Sequence, residues 1–273
     1  MLRSLYSGVS GMRGFQTKLD VIGNNIANVN TTGFKKSRVV FQDILSQNIA
    51  GATAPSGDGM GGINPKQVGL GSQAVAIDVV HTTGSPMTTN LTTDLSIEGD
   101  AFFVVSNDGG ETRYLTRAGN FTRDGDGFLV NAQGMQVLDS GGEPIQIPRE
   151  TVTSFSFGKN GSINAFDATG QAVQIGNGFV GVTTVDNPSG LQKIGNSLYQ
   201  MTQNANPGGE LEVEIVDPTA ANSAIVAGTL EMSNVDLQEE FTEMIVAQRG
   251  FQANSRIITT SDTILEELIN LKR

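Results

Sequence analysis

The sequence predicts an α+β fold. Long helices at the two ends of the chain are predicted to pair as a coiled-coil-like stalk, and the centre of the chain to form an all-β domain of sandwich or open-barrel type. Apolar residues recur every seven positions near both ends, a spacing typical of paired helices. The middle alternates apolar and polar residues between Asp-Gly, Asn-Gly and Gly-Gly pairs, as in antiparallel strands joined by tight turns. Glycine supplies 34 of the 273 residues, which suits many short turns better than a large α/β core.

An apolar stripe predicts the first helix, over residues 1–30. The stripe consists of Leu5, Met12, Leu19 and Ile26, flanked by Leu2 and Val9 on one side and by Phe15, Ile22 and Val29 on the other. About 28 helical residues at 1.5 Å each span about 42 Å. Such a length at a chain end suits a helix that packs against something other than the central domain.

A second stripe predicts a helix of about 60 Å over residues 233–273. Its members are Leu237, Met244, Phe251, Ile258 and Leu265, with Ile257, Ile264 and Leu271 beside them. Ser233, followed three residues later by Asp236, resembles a capping box at the start of this helix. A further stripe begins at Phe241 and is half polar, because Gln248, Ser255 and Asp262 precede Ile269. This face is therefore predicted to be wet or to bind other polar faces.

The region between the helices divides into three segments. Residues 31–75 are predicted to be an extended, loop-rich connection, with a flexible Gly/Pro/Ser stretch at 51–67. Residues 76–201 carry the β pattern, with turns every 8–12 residues or so, as in a sandwich or open barrel. Residues 202–232 are predicted to return the chain to the second helix.

Charge and composition exclude several classes of protein. The net charge of −11 argues against nucleic-acid binding, and the absence of cysteine excludes disulfides and thiolate chemistry. Residues 1–40 have a net charge of +5 and residues 233–273 a net charge of −3, so the two ends can attract each other or neighbouring copies. No run of 18 apolar residues predicts a membrane span, and the first residues do not predict a cleaved signal peptide.

No motif predicts catalysis, a cofactor or a metal site. The stretch from Asp124 to Met135 begins like a calcium loop but lacks the acid at its fifth position and the final glutamate, so we interpret it as a turn. Residues 69–74 match a dinucleotide fingerprint only weakly, which again favours a turn. Ser10 lies inside the first helix rather than on a nucleophile elbow, and His81 at a strand end has no matched nucleophile, which favours a structural role.

Asparagines gather at the end of the first helix. Asn24, Asn25 and Asn28 share one helical side at spacings of three and four residues. In one interpretation, Asn30 or Gly33 forms a left-handed C-cap while the other amides satisfy the last carbonyls. In the other, a band of amides hydrogen-bonds to identical neighbours and fixes the register of a helical assembly.

Three stretches resemble the bacterial flagellar rod and hook protein family. They are "LDVIGNNIANVNTTGFKK" near the start, "GDAFFVV…YLTRAGNFTRDGDGFLVNAQGMQVL" in the centre and "SNVDLQEEFTEMIVAQRGFQANSRIITTSDTILEELINLKR" at the end. The resemblance covers nearly the whole chain, with two separate signatures in the expected places. It implies a structural subunit without enzymatic activity, whose terminal helices line the inside of a tube and whose β domain forms the outer wall. It also implies that the termini are poorly ordered in the free subunit.

The resemblance also implies partners and a location. The expected partners are other copies of the chain in a helical homopolymer, adjacent rod, hook and hook–filament junction proteins, and the flagellar export apparatus and hook cap during assembly. Neither nucleic acid nor membrane insertion is expected. The protein is expected in the hook and basal body, extracellular after export without a cleaved signal peptide.

Within the family, "LDVIGNN", "MIVAQR" and "NPKQVGLG" resemble hook sequences, so the first hypothesis is a hook subunit that transmits motor torque. The length leaves room for only one β domain, which keeps a distal rod subunit as the alternative. A secreted β-domain enzyme or adhesin is a remote third hypothesis. A wall hydrolase would need paired catalytic carboxylates and further length.

Under the family interpretation, the helical stripes and the asparagines form the assembly interface. The predicted interface residues are Leu5, Val9, Met12, Leu19, Ile22, Asn24, Asn25, Ile26, Asn28, Leu237, Phe241, Met244, Phe251, Ile258 and Leu265.

Overall fold

The computed structural model describes residues 2–53, 62–206, 211 and 213–271, in two compact units. The first, here called the helical unit, comprises Met1–Ala27, Ser37–Val79 and Asp236–Arg273. The second, here called the β unit, comprises Asn28–Lys36 and Val80–Val235. Terminal helices close together and a β-rich centre confirm the predicted α+β class.

The helical unit contains two helices and two antiparallel strand pairs. Its elements are α1 (Leu2–Ala27), β1 (Ser37–Asp43), β2 (Ser46–Ala50), β3 (Lys66–Gly69), β4 (Ser72–Val79) and α2 (Leu237–Asn270). β1 pairs with β4, with an irregularity between Val40 and Phe41, and β2 pairs with β3. The Phe15 ring of α1 lies 6.2 Å from the Phe41 ring of β1, so this ribbon packs on the first helix.

Strands β1, β2 and β3 and the first half of β4 stand where the sequence predicted a loop-rich connection, whereas residues 76–79 of β4 lie in the predicted β region. The sequences of β2 (SQNIA) and β3 (KQVG) do not alternate apolar and polar residues, which is the signal by which strands are recognised, and every residue of both strands is exposed. Part of the predicted flexible stretch, residues 54–61, lies outside the described residues.

Both helices are shorter than predicted. α1 has 26 residues and α2 has 34. The predicted capping box at Ser233 is wrong: the N-cap is Asp236, whose carboxylate accepts a hydrogen bond from the Gln238 amide at 2.8 Å. The reason is that Asn234 accepts a hydrogen bond from the Lys36 amide at 2.7 Å, which holds residues 233–235 in a non-helical path.

The β unit contains fifteen strands within its described residues. They are β5 (Pro86–Thr88), β6 (Leu95–Glu98), β7 (Phe102–Ser106), β8 (Arg113–Thr116), β9 (Thr122–Arg123), β10 (Leu129–Val130), β11 (Gln136–Val137), β12 (Ser154–Phe157), β13 (Ile163–Phe166), β14 (Ala172–Val173), β15 (Val182–Thr183), β16 (Gln192–Gly195), β17 (Leu198–Gln200), β18 (Ala224–Ala227) and β19 (Thr229–Glu231). A short 3₁₀ helix covers Pro188–Gly190.

An eight-stranded antiparallel sheet forms the largest part of this unit. Its order is β16-β17-β8-β7-β11-β10-β9, and β15 also pairs with β7. A three-stranded sheet runs β12-β13-β14, while β18 pairs with β6 and β19 with β5. The segment predicted as a simple return therefore contributes β18 and β19, both of them paired with strands from early in the unit.

β7 lies between two apolar clusters. All five of its residues are buried, as expected of a strand covered on both faces. Phe103 and Val105 belong to one cluster, and Phe102 and Val104 belong to the other. Alternate residues of one strand thus connect the two parts of the core.

Within the described ranges, neither helix offers an apolar stretch of the length needed to cross a bilayer. In those same ranges, no three His, Cys, Asp or Glu side chains gather closely enough to hold a metal ion.

Candidate assembly surface on the terminal helices

The two terminal helices run antiparallel. Lys18 of α1 forms an ion pair with Glu243 of α2, and the Asn25 amide donates to the Glu240 carboxylate at 3.2 Å. Toward the other end of α1, Gly8 lies beside Ile258. The residue numbers of α2 at these contacts therefore rise as those of α1 fall.

Small residues allow the two helices to approach closely. A Cβ atom added at Gly11 would lie 2.8 Å from Nδ2 of Asn254, and one added at Gly250 would lie 2.5 Å from the Phe15 ring. On α2 the buried residues are Glu240, Ala247 and Ser261, which are separated by multiples of seven. The helices therefore pair as predicted, but the buried line of α2 differs from the large apolar stripe that the sequence emphasised.

The structure exposes most of the predicted interface residues. Ile22 and Asn25 are buried; Leu5, Met12, Leu19, Ile26, Asn28, Met244, Ile258 and Leu265 are partly exposed; Val9, Asn24, Leu237, Phe241 and Phe251 are exposed. The half-polar stripe also faces outward, with Gln248, Asp262 and Ile269 exposed and Ser255 partly so.

A broad apolar surface remains uncovered on the last helix. Its members, between 37% and 82% exposed, are Leu237, Phe241, Ile245, Val246, Phe251, Ile257, Ile264, Leu268, Ile269 and Leu271. Ile245, Val246 and Leu268 were missed by the seven-residue stripes. The signal that could have found them is the presence of apolar residues on more than one side of α2, beyond what a single partner helix can cover.

Asn25 has its partners inside the chain. Its Nδ2 atom donates to the Ser37 carbonyl at 2.8 Å and to Glu240, while its Oδ1 atom accepts from the Ser37 amide at 3.0 Å. The side chain is 1% exposed. Within the single chain these hydrogen bonds join α1, the start of β1 and α2, and the pairing of this amide with identical neighbours stays a prediction.

The predicted helical band of asparagines does not extend to Asn28. α1 ends at Ala27, and Asn28 accepts a hydrogen bond from the Thr31 hydroxyl at 3.1 Å in the turn that follows. Gly33 adopts the left-handed conformation, with φ of 67°, but it lies well beyond the helix end. It donates its amide hydrogen to the Glu231 carbonyl at 2.8 Å, so it is not a C-cap of α1.

A groove of about 550 Å³ lies between α1 and the ribbon. Its walls are mixed, with Tyr6, Arg13 and Thr17 on the helix and Ile44 and Gln73 on the other side. This groove lacks the mainly apolar enclosure that is typical of a cofactor site.

The residues considered for chemistry have structural roles. The His81 ring lies 5.8 Å from the Phe102 ring and 5.4 Å from the Tyr199 ring. Burial, and then the positive charges of Lys35, Arg117 and Lys193, lower the pKa of His81 to about 4. The ring is thus neutral at pH 7.

The two motif-like stretches and Ser10 fit the predictions. The Ser10 hydroxyl donates to the Ser7 carbonyl at 2.9 Å within α1. Asp124 accepts from the Gly125 and Gly127 amides at 2.7 and 3.1 Å, as in a turn. Leu70 and Gly71 form the corner between β3 and β4, while residues 69 and 72–74 belong to these two strands.

Comparison with known proteins points to one family. The family profile described as "Flagella basal body rod protein" matches residues 5–35. "Flagellar hook protein FlgE/F/G D1 domain" matches residues 96–165, and "Flagellar basal body rod FlgEFG protein C-terminal" matches residues 226–271.

Individual relatives agree. The chain is 53% identical over 273 residues, the whole of both chains, to the flagellar basal-body rod protein FlgG of Bacillus subtilis. It is 36% identical over 275 residues to the FlgG of Borreliella burgdorferi, again with both chains fully covered. It is also 56% identical over 138 residues to the flagellar hook protein FlgE of Treponema pallidum, which covers 50% of this chain and 29% of that one. This chain therefore belongs to the flagellar rod and hook family of structural proteins.

Proposed function

We propose that this chain is a distal rod subunit of the flagellar basal body, which polymerises with copies of itself into a helical tube. The support for the rod is the match along the whole chain to relatives named as basal-body rod proteins. The support for polymerisation is the uncovered apolar surface of α2, whose Phe241 and Ile245 sides are half exposed or more in a single chain.

The proposed assembly surface comprises the exposed apolar residues of α2 together with Leu5, Val9 and Met12 of α1. Each large apolar side chain removed from water contributes roughly 1.5–3 kcal/mol. Several such residues on one helix supply the driving force for association. The opposite net charges of residues 1–40 and 233–273 favour contacts between unlike ends of neighbouring copies. The charges that act in this way are those not already paired within the chain, as Lys18 is with Glu243 and Lys35 with Glu231.

Membership of the family also supports the partners. We propose contacts with adjacent rod, hook and junction proteins, and passage through the flagellar export apparatus with the help of an assembly cap. The working location would then be the basal body and hook region.

A hook subunit is the second candidate. The observation that favours it is the identity of 56% over 138 residues to the hook protein of Treponema pallidum. The two functions differ in where the polymer lies along the flagellar axis.

Electron microscopy of cells that lack the gene, together with their purified basal bodies, distinguishes them. A rod that stops short of its distal part would support the distal rod. A complete rod and ring complex that ends at the cell surface without a curved segment would instead identify the hook. Intact hook–basal bodies would contradict both.

A further inference from the structure

Glu231, the last residue of β19, binds three other segments of the β unit. Its carboxylate accepts hydrogen bonds from the Lys35 ammonium at 2.5 Å, from the Gly84 amide at 2.9 Å and from the Arg117 guanidinium at 3.4 Å. Its main-chain carbonyl accepts from the Gly33 amide at 2.8 Å. The side chains of Lys35, Arg117 and Glu231 are all at least 96% buried.

Three residues later, Asn234 joins the same segments again. Its Oδ1 atom accepts from the Lys36 amide at 2.7 Å, and its Nδ2 atom donates to the Val80 carbonyl at 2.8 Å and to the Thr82 hydroxyl at 2.9 Å. The Val80 amide in turn donates to the Lys36 carbonyl at 2.9 Å. Lys36, Val80 and Asn234 are therefore hydrogen-bonded to one another in a closed set.

These residues stand where the chain leaves the β unit. The chain passes from one unit to the other at four places, after residues 27, 36, 79 and 235. Lys36 is the last residue before the passage at 36, and Val80 is the first residue after the passage at 79. Asn234 immediately precedes Val235, the last residue before the passage at 235. Three of the four exits are thus tied to one another by atoms that all belong to the β unit.

Lys35 adds a second hydrogen bond between these segments. Its ammonium also donates to the Thr82 carbonyl at 2.8 Å, so the segment before the second exit is bonded to the segment after the third as well as to Glu231. A Cβ atom added at Gly84 would lie 1.9 Å from the Met232 carbonyl oxygen, which shows how closely these segments pack. Loss of one partner from a buried charged set is strongly destabilising, because it leaves the other charges uncompensated. Contiguous contacts of this kind open locally as cooperative units.

We propose that Glu231 and Asn234 are positioning residues of an exit junction, formed by Lys35, Lys36, Val80, Thr82, Glu231 and Asn234. Through the junction, the chain segments at the three exits unfold and refold locally as one cooperative set. It orders the chain that leads into β1, out of β4 and into α2 before any neighbouring copy is bound. This meaning for assembly rests on the proposed function, whereas the coupling of the exits is a property of the single chain.

The test is residue-resolved amide hydrogen exchange in the purified, unassembled full chain, with the Asn234→Ala variant. We expect exchange at the Lys36, Val80 and Gly84 amides to accelerate together by at least tenfold, while the Val104 amide in β7 stays unchanged. Asn187→Ala is the matched control, since the Asn187 side chain also donates to a carbonyl, that of Asn204 at 3.1 Å, outside the junction. It should leave the junction amides unaffected.

Two results would overturn the proposal. Acceleration at Lys36 alone would make Asn234 a local cap, and equal acceleration throughout the β unit would make it a general stabiliser. Glu231→Gln is a second variant and should accelerate the same amides. If the Glu231→Gln chain does not unfold cooperatively, the test rests on the Asn234→Ala variant, because that substitution removes no buried charge. Since exchange is measured on the single chain, the result stands whichever part of the flagellum the protein builds.

Discussion

The Nδ2 atom of Asn25 lies 3.2 Å from Oε2 of Glu240, and this buried hydrogen bond joins the first helix of the chain to the last. The two residues are separated by 215 positions in sequence. Asn25 also exchanges two hydrogen bonds with the main chain of Ser37. The end of α1 is therefore held by these polar contacts as well as by the buried side chain of Ile22.

Replacement of Asn25 by leucine should destabilise the helical unit by about 1–3 kcal/mol, because it leaves the Ser37 amide and the Glu240 carboxylate without this partner. Urea unfolding followed by circular dichroism at 222 nm measures the loss. Gln16→Leu, at an exposed position of α1, is the control and should change the free energy of unfolding by less than about 0.5 kcal/mol. Equal stability of the Asn25 variant and the wild type would contradict the assignment.

Two glycine substitutions should act in opposite directions. At Gly250 an added Cβ would lie 2.5 Å from the Phe15 ring, so Gly250→Ala should cost about 1–3 kcal/mol by forcing the helices apart. Gly23 has no atom within 4 Å of its added Cβ, so Gly23→Ala should stabilise α1 by about 1 kcal/mol. Thermal unfolding of both variants compares the effects, and a stabilised Gly250 variant would show that the helices do not pack closely there.

Aspartate at Phe241 or Phe251 of the assembly surface, or at the partly exposed Met244 beside it on α2, should block polymerisation while the β unit stays folded. A phenylalanine that becomes buried in the polymer contributes roughly 1.5–3 kcal/mol, so its loss weakens each contact by about tenfold or more. Sedimentation and electron microscopy measure the polymer, and near-ultraviolet circular dichroism follows the β unit. Gln248→Asp adds the same charge at an exposed polar position of α2. Normal polymers from all three apolar variants would rule out this surface.

Stability should fall as the pH drops below about 6.5. The folded chain holds the pKa of His81 at about 4, whereas the unfolded chain has the ordinary value of 6.5. Between these values the unfolded state binds the extra proton, so protonation favours unfolding. His81 is the single histidine of the chain, so melting temperatures between pH 7 and 5.5 isolate its effect. His81→Leu should remove this slope, and an unchanged slope would assign it to other groups.

Much of the fold could be predicted from the sequence. The helices at both ends follow from the seven-residue recurrence of residues such as Leu19 and Met244, and the strands follow from alternation and turn pairs. Both signals arise within a few consecutive residues. Strands β2 and β3 of the ribbon could not be predicted in this way, because their sequences carry no alternation.

The details of the candidate site depended on distant partners. The N-cap of α2 is Asp236 rather than the predicted Ser233, because Asn234 accepts a hydrogen bond from the Lys36 amide, 198 positions away in sequence. The hydrogen-bond partners of Asn25 could not be predicted either, since the spacing of asparagines in a sequence does not say whether their partners lie in the same chain or in another.

The sequence by itself determined that the two ends are helical, that the middle is β and that the chain resembles one family, because periodicity and motifs are local properties. Only the tertiary structure decided which side of each helix is covered. The glycines at positions 8, 11 and 250 permit a close approach that the large side chains do not, so Ala247 and Ser261 face inward while Phe241 and Ile245 remain exposed. Helix contact follows the shape of both surfaces, and that shape exists only once the two ends of the chain meet.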